Sequence, residues 1–390
     1  MQVKVPAAFM RGGTSRAVFF KAGDLAPYDR RIQELIILAA LGSPDPYGRQ
    51  VDGLGGGISS LSKVAIIGRG DESDTDVRFT FAQVDVERPM VDFLGTCGNI
   101  SAAVGPFAID EEMVPAIEPV TAVHVLATNT GKRYIAYVPV RDGRAETEGD
   151  YTIDGVPGPG ARIALEFLDP GGSLGGRVLP TGHAAETLRL ESGKRVTVSV
   201  VDAAAPMVFV RADELGARAT DSPQALDADR ALQELLEEVR SQAAVLLGLA
   251  ESVKYAREQV KAIPKIAMVA PPSPYRTTKD TLIGPDQVDL VARMISMGKT
   301  HRTFAGTSSM CIAVAAAIPG TVVHAVARQA MPERVRIGHP AGIMEVGARV
   351  EAHGGDWRVQ SVTTQRTARR IMDGVIYVPQ SYLQGKPWFA

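Results

Sequence analysis

Cysteine is scarce in this sequence, whose 390 residues include only Cys97 and Cys311. Two thiols are too few for a disulfide framework or a thiolate zinc site, so both are expected to be reduced, as in the cytoplasm. The histidines show no metal-ligand spacing, and the His-Glu-x-x-His motif does not occur. No metal site is therefore expected.

Long apolar runs and a strong net charge are also missing. No apolar stretch approaches the roughly 20 residues of a transmembrane helix, and the first nine residues are too short for a signal peptide. The formal net charge is −2, so no overall field attracts nucleic acid or an anionic membrane. We therefore expect a cytoplasmic protein that binds neither, and an anionic ligand would need a local site.

Glycine is abundant, with 39 residues, whereas aromatic residues make up only 6%. This composition favours tight turns over a helical bundle, and the length predicts two domains. Residue type and periodicity predict strands at Val3–Phe9, Ala17–Phe20, Lys63–Ile67, Val77–Val84, Arg133–Val140, Arg195–Val201, Pro206–Val210, Ile266–Val269, Thr321–Val326 and Ile343–Glu351. They predict helices at Tyr28–Leu41, Ile100–Phe107 and Ser222–Val260, the last interrupted at Gly248.

An internal similarity relates the two halves of the chain. Ser62–Ile67 resembles Pro264–Val269, and downstream of each a short glycine-containing turn opens an apolar helix, at Gly95–Asn99 and at Phe304–Ser309. Coincidence is one explanation. A real repeat predicts two similar lobes that face each other, with a site in the cleft between them.

The first candidate site is the turn Arg11-Gly12-Gly13-Thr14-Ser15. Two glycines followed by two hydroxyl residues allow consecutive backbone N–H groups to point at one anion, such as a carboxylate. The alternative is a tight turn between two strands.

The second candidate is the glycine-rich segment 52–62 that leads into Lys63. It matches neither a Walker loop nor a dinucleotide fingerprint. A lysine at the mouth of an apolar strand can be partly buried, which lowers its pKa and makes it a usable base. The alternative is a flexible loop with a solvated lysine.

The third candidate is Cys97-Gly98-Asn99 at a predicted helix start. The N–H groups and dipole of a helix start stabilise a thiolate, and Asn99 can donate a hydrogen bond to a carboxylate. The alternative is a buried, inert cysteine, which is how we interpret Cys311.

The second half of the chain offers donors that could bind a carboxylate, although each histidine taken alone is also compatible with a structural role. These residues are His301, Gly306, Thr307, Ser308, Ser309 and His339.

Eight segments taken together resemble one known family. In chain order they are Arg11–Ser15, Gly42–Tyr47, Gln50–Gly56, Ser62–Lys63, Cys97–Asn99, Val104–Ile109, Gly338–Pro340 and Arg366–Gly374. The same segments occur in this order in the PrpF family, and the resemblance spans Met10–Val378.

The resemblance implies an α+β fold of two pseudo-symmetric lobes, similar to that of diaminopimelate epimerase. Each lobe would be a curved, mostly antiparallel sheet or open barrel around a central helix. The C-terminal strand of the family, Val375–Tyr382 here, returns to the first lobe. Because Gly155–Gly182 is rich in loops, we place the crossover at Glu186, which predicts lobes at 1–185 with 375–390 and at 186–374.

The resemblance also implies an activity, the cofactor-independent isomerisation of a small unsaturated di- or tricarboxylate such as 2-methylaconitate, methylitaconate or 4-oxalomesaconate. The catalytic lysine and cysteine of the family fall on Lys63 and Cys97, and Gln50 and Ser62 become candidates for substrate contacts. Epimerases of this fold use a second cysteine, whose place Ala305 takes here.

The implied mechanism is a proton transfer along an allylic unit. One of Lys63 and Cys97 removes a proton, and the other returns one to the far carbon while backbone N–H groups stabilise the charge. The alternatives are an epimerase or racemase, or a non-catalytic helper of an aconitase-like dehydratase. Departures from the family pattern at residues 57, 58 and 61 and in the turn 307–309 leave the substrate open. A homodimer is compatible with the sequence.

Overall fold

The structure is a computed structural model that describes residues 1–71, 74–296, 298–328 and 334–389. Its strands are β1 (Gln2–Gly12), β2 (Ser15–Lys21), β3 (Lys63–Arg69), β4 (Val77–Val84), β5 (Val91–Asp92), β6 (Val120–Ala127), β7 (Lys132–Arg141), β8 (Arg144–Ala145), β9 (Ile163–Leu168), β10 (Glu186–Arg189), β11 (Arg195–Ala203), β12 (Ala205–Arg211), β13 (Lys265–Ala270), β14 (Tyr275–Arg276), β15 (Leu282–Ile283), β16 (Leu290–Ser296), β17 (Lys299–Thr300), β18 (Val335–His339), β19 (Gly342–His353), β20 (Asp356–Arg366) and β21 (Ala368–Pro379). Its helices are α1 (Ala22–Leu25), α2 (Arg30–Leu41), α3 (Ser101–Asp110), α4 (Pro223–Ala228), α5 (Arg230–Leu246), α6 (Val253–Gln259), α7 (Gly306–Ala317), α8 (Val322–Val326) and α9 (Gln380–Leu383).

The chain divides into two compact units. Unit 1 comprises Met1–Leu165 and Arg366–Ala390, and unit 2 comprises Glu166–Gln365. The sequence-based division used 185/186 and 374/375 as boundaries. In the structure the first boundary lies earlier, because the glycine-rich stretch after β9 bonds to β11 of unit 2. For example, the Gly172 amide donates to the Asp202 carbonyl at 2.9 Å. Residues 368–374 lie in β21, which pairs with β1.

Unit 1 is a mixed sheet with a buried helix. β1 and β2 form an antiparallel pair, β2 runs parallel to β3, and β3 is antiparallel to β4. β4 then runs parallel to β6, and β6 is antiparallel to β7. All but the last residue of α3 is buried, which fits a helix that is apolar on every side.

Helix α2 covers another part of unit 1 and has clear signals at both ends. The Asp29 side chain accepts a hydrogen bond from the Ile32 amide at 2.9 Å, and Gly42 ends the helix in the left-handed conformation. Its apolar face, including Leu35 and Ile36, packs into the same core as β1 and β2.

Unit 2 repeats this strand order. β11 and β12 are antiparallel, β12 runs parallel to β13, and β13 is antiparallel to β16. β16 then runs parallel to β18, which is antiparallel to β19. The buried helix α7 follows β16 and the short β17, as α3 follows β4 and the short β5. The predicted α+β fold of two pseudo-symmetric lobes is confirmed, and the internal sequence similarity reflects a structural repeat.

Two secondary-structure predictions need correction. The segment predicted as a strand at Thr321–Val326 forms α8, because the Thr321 hydroxyl caps its start by accepting a hydrogen bond from the His324 amide at 3.0 Å. The helical segment Ser222–Val260 is broken twice. The break at Gly248, between α5 and α6, was predicted. The break at Asp229, between α4 and α5, was not, and the Asp229 side chain caps the start of α5.

Candidate active site

Lys63 is the first residue of β3 and is buried, with 8% of its surface exposed. Its Nζ lies 2.5 Å from Oε1 of Gln83 and 5.2 Å from the centre of the Phe81 ring. Burial lowers the pKa of Lys63, because an ammonium ion is costly to remove from water. A neutral amine, which is the form that can accept a proton, is therefore available at lower pH than in a solvated lysine.

Gln83 lies directly opposite Lys63 in the pairing of β3 with β4. Its Nε2 donates to the carbonyl oxygens of Ser59 at 3.1 Å and of Ser62 at 2.9 Å. Gln83 was not among the candidates predicted from the sequence. Both strands were predicted, but the position of Gln83 opposite Lys63 depends on their register, which was not predicted.

The glycine-rich loop before Lys63 is held by Gln50. The Gln50 Nε2 donates to the hydroxyls of Ser43 and Ser62, both at 2.8 Å, and its Oε1 accepts from the Gly57 amide at 2.9 Å. Gly55 packs against this amide so closely that a Cβ would collide with it. Gln50 and Ser62 thus contact the loop itself, and their contact with substrate stays a prediction.

Cys97 lies one turn before α3 and is buried, with 8% of its surface exposed. Its carbonyl accepts hydrogen bonds from the Ser101 amide at 2.9 Å and from the Ser101 hydroxyl at 3.0 Å. The amide groups of residues 98–100 therefore belong to the first helical turn, where they and the helix dipole favour negative charge. A thiolate at Cys97 raises the pKa of Lys63, so the charges of the two residues are coupled.

The turn between β1 and β2 packs against this helix start. The Asn99 Nδ2 donates to the Thr14 hydroxyl at 3.1 Å. A Cβ on Gly12 would collide with the Asn99 carbonyl, and one on Gly13 with the Asn99 side chain. The two glycines are thus required for a close backbone approach, and the predicted turn and helix start form one site.

Arg11 and Ser15 flank that turn and have protein contacts of their own. The Arg11 Nη1 donates to the carbonyls of Gly13 at 3.0 Å and Thr367 at 2.9 Å, so Arg11 braces the turn. Burial, followed by the charge of Arg369, lowers the pKa of Arg11. Ser15 is buried at the start of β2.

Arg366 joins the site without having been singled out as a candidate. It is buried, with 3% of its surface exposed, and its Nε donates to Oδ1 of Asn99 at 3.1 Å. Burial lowers its pKa to about 10, and the charge of Cys97 acts in the opposite direction. Arg366 therefore remains cationic at neutral pH and supplies positive charge beside the start of α3. It opens a segment that carries the family resemblance, which was the signal for it.

The candidates of unit 2 lie around the start of α7 and in β18. The Ala305 carbonyl accepts from the Ser309 amide at 2.8 Å, so residues 306–308 occupy the first turn. Ser308 is fully buried, and its hydroxyl has no hydrogen-bond partner among the residues that the structure describes. Thr307 and Ser309 are buried beside it, and the Ser309 hydroxyl donates to the Gly306 carbonyl at 2.7 Å.

The two candidate histidines of unit 2 each contact a neighbouring loop. The Nδ1 of His301 lies 3.2 Å from both the amide and the hydroxyl of Thr303. His339 is buried at the end of β18, and its Nδ1 accepts from the Ala341 amide at 3.2 Å. Their contact with substrate stays a prediction.

Other features can be separated from this site. Cys311 is buried within α7, where burial raises the pKa of its thiol, in keeping with a packing role. A cavity of about 640 Å3 lined by Tyr47, Tyr377 and Trp388 contains neither Lys63 nor Cys97. Within the described part of the chain, no three His, Cys, Asp or Glu side chains are grouped as metal ligands would be. None of the described helices is long and apolar enough to cross a membrane.

The repeated strand order and the buried central helices define the fold of the racemases and epimerases. A crystal structure of a hydroxyproline epimerase from Agrobacterium vitis matches with a TM-score of 0.54 at 13% identity, covering 97% of this chain and 94% of that one. A crystal structure of methylitaconate-delta-isomerase matches with a TM-score of 0.80 at 43% identity, covering 99% and 98% of the two chains.

The sequence comparisons give the family. The family described as PrpF protein matches residues 2–379. A 3-methylitaconate isomerase of Eubacterium barkeri is 44% identical over 98% of this chain and 99% of its own length. A 2-methyl-aconitate isomerase of Shewanella oneidensis is 38% identical over 97% and 98%. The chain belongs to the PrpF family and is an isomerase.

Proposed function

We propose that the protein moves a proton and a carbon–carbon double bond within a small unsaturated di- or tricarboxylate, with methylitaconate and 2-methylaconitate as the leading substrates. The observation that carries this proposal is the pair Lys63 and Cys97. Both are buried, and a charge on Cys97 changes the pKa of Lys63. The names of the relatives supply the substrate class, and the coupled pair supplies an acid and a base.

The first step is the removal of an allylic proton by the neutral amine of Lys63. Burial favours that neutral form, as a general base requires. The electron pair left on carbon delocalises into the adjacent unsaturated carboxylate as a dienolate. Cys97 then gives its thiol proton to the far carbon of the allylic unit, and the double bond has moved. The reverse direction exchanges the roles of the two residues.

Charge that develops on the substrate needs donors that are already in place. We propose that the first-turn amides at Gly98 and Asn99 and the guanidinium of Arg366 provide them. The turn Gly12–Ser15 binds a substrate carboxylate through its amides and hydroxyls. In unit 2, the first turn of α7, with the Ser308 hydroxyl, is proposed to bind a carboxylate in the same way.

Proton NMR in deuterated water tests this function, with methylitaconate, 2-methylaconitate and 4-oxalomesaconate as the panel. We expect migration of the double bond with deuterium on one terminal allylic carbon. Deuterium at a stereocentre without migration would indicate an epimerase. No exchange with any of the three would contradict isomerisation of these substrates and leave a non-catalytic role.

We further propose that the reaction needs no cofactor and takes place in the cytoplasm. An amine, a thiol and backbone amides are sufficient for proton transfer, and a catalytic thiol must stay reduced. Dialysis against EDTA is expected to leave the rate unchanged, and cell fractionation is expected to recover the protein with cytoplasmic markers. Loss of activity that added metal restores would contradict the first part.

A further inference from the structure

The contact between Lys63 and Gln83 has a fixed direction. The two residues are opposite each other in the β3–β4 pairing, with Nζ and Oε1 2.5 Å apart. The Gln83 Nε2 donates to the carbonyls of Ser59 and Ser62. A flipped amide would place its oxygen against those two carbonyls and its N–H groups against Nζ. Such a flip is therefore unfavourable, and Oε1 stays directed at the lysine.

We propose that Gln83 is the positioning residue of Lys63, accepting one N–H of the amine so that its lone pair points at the substrate. This rests on the proposed role of Lys63 as the base. A neutral amine has two N–H donors and one lone pair, so a fixed acceptor restricts where the lone pair can point. Pre-orientation of a base contributes to the rate because it removes misdirected rotamers before the proton is transferred.

The neutrality of the Gln83 amide also matters for the charge of Lys63. Among the described residues, the titratable group whose charge acts on Lys63 is Cys97, and the Phe81 ring centre lies 5.2 Å from Nζ. A carboxylate at position 83 would add a negative charge next to Nζ and favour the ammonium form. An amide accepts the hydrogen bond without that effect, so the amine can stay unprotonated.

Two variants of Gln83 test this proposal. Gln83→Met has a similar length and only a weak acceptor, its thioether sulfur. We expect kcat to fall about 10- to 100-fold with little change in KM, because orientation is lost while substrate contacts remain. Gln83→Glu keeps an acceptor and adds charge. We expect it to be slow at neutral pH, to recover as the pH rises, and to shift the ascending limb of the pH–rate profile upward.

A control on the same strand separates positioning from loss of structure. Thr80 lies on β4, and its hydroxyl is 2.6 Å from that of Thr128. Thr80→Val removes one half-buried polar contact from the strand without touching Lys63, and is expected to retain wild-type kcat and pH profile.

The outcomes distinguish this proposal from the proposed function. A Gln83→Met enzyme with wild-type kcat and pH profile, in an assay where Lys63→Ala is inactive, would overturn the role of Gln83 alone. An active Lys63→Ala enzyme would overturn the proposed function itself. If Gln83→Met does not fold, an unshifted profile in Gln83→Glu would still overturn the proposal.

Discussion

The starts of α3 and α7 share the same backbone design and differ in chemistry. In each, the residue before the first turn offers its carbonyl to the amide of a serine four residues on, from Cys97 to Ser101 and from Ala305 to Ser309. Each helix is buried in its unit and follows a strand at the same place in the strand order. At the matching position, however, unit 1 has a thiol and unit 2 has a methyl group.

The lysines that open the matched strands β3 and β13 differ in burial. Lys63 opens β3 and is buried, whereas Lys265 opens β13 and is half-buried. The repeat therefore supplies two similar scaffolds, of which one carries the pair that we propose to be acid and base. To invert one carbon, two opposed thiols can remove and return a proton on its two faces. An allylic shift instead removes a proton from one carbon and adds one to another. The asymmetry of this chain fits the second reaction.

The largest expected effect tests the two cysteines against each other. Cys97→Ala should lower kcat with methylitaconate or 2-methylaconitate about 100- to 10,000-fold, because one proton-transfer group is lost. Cys311→Ala, in the core of unit 2, should cost some stability and leave kcat near the wild-type value. Steady-state kinetics on both variants decide the matter. Equal losses, or no loss in Cys97→Ala, would remove the functional contrast between the units.

A second test uses two buried arginines, one from each unit. Arg366 and Arg293 both have their pKa lowered to about 10 by burial. Arg366→Gln should lower kcat/KM about 10- to 100-fold, the value of one charge-assisted hydrogen bond to a carboxylate or dienolate. Arg293→Gln should mainly reduce stability, since that guanidinium bonds to the carbonyls of Asp221 and Ala292.

Kinetics and thermal unfolding of the two arginine variants, measured in parallel, separate these effects. If Arg366→Gln loses only stability and keeps kcat/KM, the guanidinium supports the fold and does not bind charge on the substrate.

A third test compares the matched turns before β2 and β12. Gly13 and Ala204 both have positive φ, of 51° and 64°. Gly13→Ala should destabilise the protein by about 1–3 kcal/mol and reduce activity, because the backbone strain is joined by a collision with Asn99. Ala204→Gly relieves strain and should change stability by about 1 kcal/mol or less. Denaturant unfolding measures both, and a neutral Gly13→Ala would contradict the close approach of the turn to the helix.

The family resemblance predicted the fold and named Lys63 and Cys97, whereas local chemistry alone left an alternative open for each motif. The glycine turn, the helix start and Lys63 carry their signals in adjacent residues, and the structure brings the turn against the helix start. Gln83 and Arg366 could not be assigned in this way. One depends on which residue of β4 lies opposite Lys63, and the other reaches Asn99 across 267 positions of the chain. Strand register and the return of the C-terminal segment belong to the tertiary structure, and the hydrophobic periodicity of the sequence does not predict them.

The smallest expected effect is the loss of folding stability caused by burying the amine of Lys63. Because burial lowers the pKa of Lys63 in the folded state, the unfolded chain binds its proton more tightly. Stability of the wild type therefore rises with pH between the lowered pKa and the ordinary value of 10.5. Lys63→Met has no such rise, so its gain in stability over the wild type should be largest below that window and shrink across it.

Denaturant unfolding of Lys63→Met at a series of pH values, beside Lys265→Met, measures that difference. Lys265 is half-buried, so its variant should show a smaller and flatter change. The charge of Cys97 also acts on Lys63, and repeating the series in Cys97→Ala separates the two contributions. A Lys63→Met protein that is inactive yet more stable would mean that unit 1 retains a destabilising side chain for its chemistry, as catalytic sites commonly do. A less stable variant at low pH would mean that Lys63 supports the fold, and the contrast with unit 2 would then be structural.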